Sequence, residues 1–266
     1  MTIDQSRHVE CGLFFCGNLQ KVGKNLDQRK PIIALDFQDV DALVDFLNMF
    51  DESLNVKIGM ELYYSTGIEM IQQLKDRGHD IFLDLKLHDI PNTVKWAMKS
   101  LAKQGVAMVN VHALGGSDMM RAAKEGLQKG TPDGKKPPIL LAVTQLTSTT
   151  TQQMQDEQNI EGNIEDNVSH LARLTQTAGL DGVVCSPLES PQLKQNLGQD
   201  FLTVTPGIRL HKGGDDQKRI ATPYEAALYG SDYIVVGRPI TQADNPVTAY
   251  KMIRDQWQQG LQERGK

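Results

Sequence analysis

The sequence predicts a (β/α)8 TIM barrel in a single domain, and three observations carry that expectation. From Pro31 onward a short apolar run is followed by a longer stretch of mixed polarity, and the alternation repeats eight times. The runs are mostly continuous rather than alternating, as strands covered on both faces require. The eight units fill residues 31–266, close to the about 250 residues typical of this barrel. A doubly wound parallel sheet is the competing architecture, but no Gly-x-Gly-x-x-Gly follows the first strand.

In chain order, the first strand is expected at residues 32–35, followed by Val40, Leu43, Val44 and Leu47, whose spacing suits a helix with one face on a sheet. The second covers 56–58, with Ile68, Ile71 and Leu74 as the buried stripe of its helix. The third covers 81–85, and Pro91 marks the start of the helix beyond it. The fourth and fifth cover 108–111 and 139–143. Residues 145–162, rich in Thr and Gln, are either a functional loop over the barrel mouth or a mobile connection. Strands at 182–185, 202–205 and 233–236 complete the set, with Pro223 opening the helix after the seventh.

Composition narrows the function. The 266 residues are 39% apolar and include 23 glycines, a globular balance that excludes disordered and fibrous classes. With 28 basic and 33 acidic residues the formal charge is −5, which argues against nucleic acid polymers as partners. A small anion needs only a local positive pocket. No apolar run approaches the ~18 residues that span a bilayer, so no membrane partner is expected. Three cysteines are too few and too odd in number for a disulfide framework, which points to a reducing, cytoplasmic setting. Cys11 and Cys16 have no second pair at zinc-ligand spacing, so no metal site is expected. No composition break divides residues 31–266; residues 1–30 form an extension that fits neither a signal nor a transit peptide.

In a barrel the working face lies at the C-terminal ends of the strands. Asp36 falls at the end of the first strand and Lys57 inside the second, where a charge is costly unless paired. The third unit reads Phe82-Leu-Asp84-Leu-Lys86-Leu-His-Asp89-Ile-Pro91-Asn-Thr93. Asp84 and Lys86 are two apart, so on a strand they point to the same face. Asp89 follows in the loop, and His88 reads as structural or solvated. Asn110 and His112 end the fourth strand, with structural hydrogen bonding and site chemistry both open. The loops after strands seven and eight, Pro206-Gly-Ile-Arg209 and Val235-Val-Gly237-Arg238-Pro239, suit a phosphate cradle. Gly237 would let backbone N–H groups approach an anion, and Arg238 adds a charged fork.

From about Pro31 to the C-terminus the sequence resembles the bacterial orotidine 5′-phosphate decarboxylase family. The resemblance rests on residues 82–93, supported by Ala34-Leu-Asp36, Lys57-Ile-Gly-Met-Glu-Leu62, Thr144-Gln-Leu-Thr-Ser148, Pro206-Gly-Ile-Arg209 and Val236-Gly-Arg-Pro239. It implies cofactor-free, metal-free decarboxylation of orotidine monophosphate to UMP, with Lys86, Asp84, Asp89 and Lys57 as the catalytic groups. It also implies that Asp36 and Lys57 contact ribose hydroxyls and that Thr147 lies near the base. Pro206, Arg209, Gln217, Gly237 and Arg238 would serve the phosphate end, under a closing loop at 209–217. Asp89, Ile90 and Thr93 would reach the neighbouring subunit's site in a homodimer. Related barrels with the same Asp-x-Lys-x-x-Asp core are metal-dependent sugar-phosphate lyases or decarboxylases that carry a glutamate where this chain has Lys57. That activity, or a non-catalytic phosphate-binding barrel, is the alternative.

Overall fold

The computed structural model describes residues 26–210 and 219–265. Eight parallel strands close on themselves in sequence order: β1 (Ile32–Ala34), β2 (Asn55–Gly59), β3 (Asp80–Leu87), β4 (Met108–His112), β5 (Ile139–Val143), β6 (Gly182–Val184), β7 (Leu202–Thr205) and β8 (Tyr233–Val236), with β8 pairing back onto β1. Around them lie α1 (Val40–Asn48), α2 (Met60–Thr66), α3 (Ile68–Asp76), α4 (Pro91–Ala102), α5 (Gly116–Gly130), α6 (Thr151–Asp156), α7 (Ile164–Thr177), α8 (Ser190–Leu197), α9 (Pro223–Leu228), α10 (Arg238–Thr241) and α11 (Pro246–Glu263). This is the expected barrel, and Pro91 and Pro223 each occupy the first helical position, where a missing N–H costs nothing.

The strand period of two divides the apolar residues into two cores. Ile33, Val56, Ile58, Leu83, Leu85, Val109, Val111, Ile234 and Val236 face outward and pack with the helices. Ile32, Ala34, Phe82, Met108, Leu141, Val204, Tyr233 and Val235 fill the interior, and Leu26 joins them from below, its carbonyl accepting from the Tyr233 hydroxyl at 3.3 Å. Helix α4, which follows the strand-three motif, is pressed against α5 because Gly126 and Gly130 have no side chain. A Cβ on either would come within 2.2 Å of the Lys95 or Lys99 carbonyl oxygen. Among the described residues no helix is long and apolar enough to cross a membrane.

Three expectations need correction. β1 ends at Ala34, so Asp36 lies beyond the strand, although Leu35 N–H still bonds the Lys57 carbonyl at 3.0 Å. β3 runs on to Leu87, two residues past the apolar run, through a break in its register with β4 between Leu83 and Leu87. Residues 145–162 are neither one loop nor one linker, because α6 forms within them. Thr150 and Gln153 make a reciprocal capping box, and Met154 is fully buried in a satellite core with Ile164 and Val168.

Candidate active site

Register and pleat bring the charged side chains together. Ala34 pairs with Lys57 and Lys57 with Phe82, so Lys57 shares an inward-facing layer with two apolar neighbours. Its ammonium escapes upward toward the C-terminal mouth, one layer higher, where Gly59 pairs with Asp84. Gly59 keeps that space open. A Cβ there would sit 3.3 Å from Lys57 Nζ and 3.5 Å from Asp36 Oδ1.

The result is a row of alternating charge. Lys57 Nζ lies 3.2 Å from Asp36 Oδ1 and 3.3 Å from Asp84 Oδ2, and Lys86 Nζ donates to Asp84 Oδ1 at 2.8 Å. Asp84 and Lys57 are nearly enclosed, whereas the Asp36 side chain is 61% exposed at the mouth. Burial alone would raise the Asp84 carboxyl, but the charges of Lys57 and Lys86, with hydrogen bonds from Lys86 and Asn110, outweigh it and hold it below the usual carboxylate range. Burial likewise opposes the Lys57 ammonium, and Asp84 and Asp36 overcome it, leaving that amine above its ordinary value. Both groups are therefore held ionised.

Lys86 reaches the row through an unusual backbone. Its φ is +50°, a left-handed conformation that, among the described non-glycine residues, only Asn159 shares. Asn110, itself buried, stands opposite this break in the ladder. Its side chain takes the Lys86 N–H at 2.8 Å and donates to Asp84 Oδ1 at 2.7 Å. Beside it, the rings of His88 and His112 stack at 5.7 Å. Burial, with the nearby charges of His88 and Lys86, lowers His112 to about 4, so it is neutral at pH 7, and its Nδ1 accepts from Leu114 N–H at 3.3 Å.

Other candidates sit around the rim. Asp89 is exposed and turned to its own loop, where Oδ1 accepts from Ile90 N–H at 2.6 Å; within its own chain it does not extend the row. Ile90 and Thr93 are also exposed, at the start of α4. Thr147 is half-buried after β5, in a loop held by Arg219, which donates to the Leu146 carbonyl at 2.8 Å and pairs with the buried Glu189. Pro206 and Arg209 leave β7, with Arg209 donating to the Ile208 carbonyl at 2.8 Å. Gly237 stands close to β1: a Cβ added to it would lie 3.6 Å from Ala34 Cβ and 3.8 Å from Asp36 Oδ2. The exposed Arg238 begins α10 beside it. Gln217, Cys11 and Cys16 lie outside the described residues, and Cys185 is a buried free thiol. Among the described residues no cluster of His, Cys, Asp or Glu is arranged to ligate a metal ion.

The profile of the orotidine 5′-phosphate decarboxylase / HUMPS family matches residues 29–253. The chain belongs to this family. An orotidine 5′-phosphate decarboxylase of Staphylococcus saprophyticus is 58% identical over 228 residues, covering 85% of this chain and 97% of that one. The Lysinibacillus sphaericus protein of the same name is 58% identical over 230 residues, 86% and 98% of the two chains. The crystal structure of orotidine 5′-phosphate decarboxylase from Lactobacillus acidophilus superposes with a TM-score of 0.78 at 47% identity, covering 86% of this chain and 99% of that one. In this decarboxylase-family barrel, sequence reasoning brought Asp36, Lys57, Asp84 and Lys86 to one mouth, and the structure joins them. It left Asn110 undecided, although a lone amide among Met108, Val109 and Val111 is a signal in itself: buried, it must find partners.

Proposed function

We propose that this protein decarboxylates orotidine 5′-monophosphate to UMP, as its relatives' names state for them, and that residues 31–266 act as one catalytic domain. The observation that carries the reading is the row Asp36–Lys57–Asp84–Lys86 at the C-terminal mouth, which presents an ammonium supported by carboxylates to whatever occupies the barrel opening. In the reaction the bond between ring carbon 6 and the carboxylate breaks, CO2 departs, and the electron pair remains on carbon 6. Lys86 faces that developing charge, stabilises it and delivers a proton; the amine regains one from water. Asp84, held ionised by Lys57, keeps Lys86 aimed through their ion pair, and Asp84 crowds the departing carboxylate.

Asp36 and Lys57 hold the ribose hydroxyls, Thr147 meets the base, and Pro206, Arg209, Gly237 and Arg238 receive the phosphate. The phosphate's binding energy, remote from carbon 6, is then available to lower the barrel's catalytic barrier. Asp89, Ile90 and Thr93 complete the site of a second copy in a homodimer. That role is supported by their exposure, with Ile90 66% exposed at the N-cap of α4, and by Trp96, 54% exposed midway along the same helix. The free thiol of Cys185 suits the cytoplasm.

The test is to treat the protein with chelator, add orotidine monophosphate and follow its ultraviolet absorbance. The reading predicts a progressive loss without added metal. An unchanged spectrum, or turnover that appears only when Mg2+ is restored, contradicts it.

A further inference from the structure

We infer that Asn110 is a positioning residue for the decarboxylation proposed above, acting through both Lys86 and Asp84. The inference rests on that reading of the site. Its observation is one side-chain amide bonded to two members of the charged row through two different atoms. Asn110 Oδ1 accepts the backbone N–H of Lys86 at 2.8 Å, and Nδ2 donates to Asp84 Oδ1 at 2.7 Å.

The strand ladder explains why an amide is needed. β3 and β4 pair at Leu83 with Val109 and resume at Leu87 with Val111, so Asp84, Leu85 and Lys86 stand against Asn110 alone. The extra residues cannot all find backbone partners on β4. Lys86 adopts φ +50°, and its N–H is taken by the Asn110 side chain rather than by a carbonyl. A left-handed lysine is strained and persists only where its surroundings hold it. The same amide then uses its donor on the carboxylate that Lys86 Nζ also contacts, at 2.8 Å. Asn110 thus sets the direction in which the Lys86 side chain leaves the strand and the rotation of the carboxylate that receives it.

The chemistry excludes simple replacements. Alanine leaves the Lys86 N–H and one Asp84 lone pair without partners in a buried place. Aspartate keeps the acceptor but sets a second carboxylate against Asp84, unless the two share a proton, in which case an acid O–H takes the place of the amide N–H. The charged and titratable groups around position 110 are Asp84 and Lys86 on β3 and Lys57 on β2, with Asp36 behind Lys57. His112 lies further along β4 against His88, and β5 presents only Leu141. All are common to variant and wild type, so a difference in pH profile isolates position 110.

The experiment compares wild type, Asn110→Ala and Asn110→Asp in turnover of orotidine monophosphate, with UMP affinity by calorimetry and thermal unfolding alongside. For Asn110→Ala, kcat should fall about 100-fold, the cost of a misplacement near 1 Å, while KM and UMP affinity change less than about threefold because the phosphate and ribose ends are untouched. For Asn110→Asp, kcat relative to wild type should recover as the pH falls from about 8 to about 5, as the carboxylate pair takes up a proton. A merely structural role would lower the unfolding temperature without that recovery. Wild-type kcat in both variants, or an Asn110→Asp deficit constant with pH, overturns the inference. So does a crystal structure of Asn110→Ala in which Lys86 keeps its positive φ and its bond to Asp84, a readout independent of turnover. If wild type itself is inactive on orotidine monophosphate, the functional reading fails instead.

Discussion

Lys57 and Asp84 stand on neighbouring strands, ammonium and carboxylate 3.3 Å apart, with only 12% and 11% of their side chains exposed. Removing one member of such a pair costs more than the pair contributes, because the other is left charged in a poorly hydrated place. Lys57→Ala should therefore destabilise the fold, toward the lower end of the about 3–5 kcal/mol typical of broken buried pairs, since Lys86 and Asn110 still hold Asp84. In the wild type the Asp84 carboxyl is depressed, so its contribution is present above the unfolded value and lost as pH falls through the folded one. Without Lys57 the folded value rises and that contribution shrinks. Urea titrations should accordingly find the gap between variant and wild type narrowing toward acid pH; a gap that widens would mean the pair is not what Lys57 contributes.

Stability of the whole barrel should also fall in mild acid, through a group far from the mouth. His79 is buried, and its Nδ1 accepts the Leu54 N–H at 3.1 Å, which requires the neutral ring. Burial, with Arg77 and Lys30 nearby, lowers it to about 4. The unfolded chain binds a proton near pH 6.5 that the folded chain refuses, so stability is full above about 6.5 and declines toward about 4. His79→Asn, which keeps an acceptor but cannot titrate, should reduce the slope of the unfolding temperature over that window, leaving the part that His112, lowered to about 4 as well, contributes. An equally steep profile would exclude His79 as a cause.

The phosphate reading of the β8 loop makes a separable prediction. Arg238→Ala should raise KM for orotidine monophosphate by about 10- to 100-fold, the loss of a charge-assisted contact worth about 1.5–3 kcal/mol. The same change should barely affect a truncated substrate without phosphate. Equal proportional losses on both would assign Arg238 another task.

Because Asp89 Oδ1 accepts from Ile90 N–H in its own loop rather than pairing with the lysines of the row, the dimer reading can be tested by complementation. Asp89→Asn and Lys86→Ala chains, each inactive alone, should regain activity when refolded together, since one site then combines Lys86 of the first chain with Asp89 of the second. Size-exclusion chromatography checks that the mixture is dimeric. No gain over the parents would mean that Asp89 serves its own chain.

Much of the barrel was legible because strands such as Ile139–Val143 and Tyr233–Val236 are covered on both faces and so are apolar throughout. The features that were not legible depend on contacts distant in sequence. β3 extends past Leu85 because Asn110, on another strand, supplies a partner for Lys86. Helix α6 escaped notice because its six residues carry no apolar stripe, only Met154, and its start is set by the Thr150–Gln153 box. In the site, period two alone put Asp84 and Lys86 on one face, and the cost of a lone charge pointed to a partner for Lys57. That Lys57 bridges two carboxylates could emerge only once β1, β2 and β3 lay side by side.

The most direct measurement is the kcat of Lys86→Ala on orotidine monophosphate, taken beside chelator-treated wild type and with UMP affinity as the control for folding. With Lys86 as both charge and proton donor, the variant should bind UMP and lose nearly all turnover, at least about 1,000-fold, as expected for a group acting mainly in the transition state. A folded Lys86→Ala protein that retained a tenth of wild-type kcat would contradict the assignment.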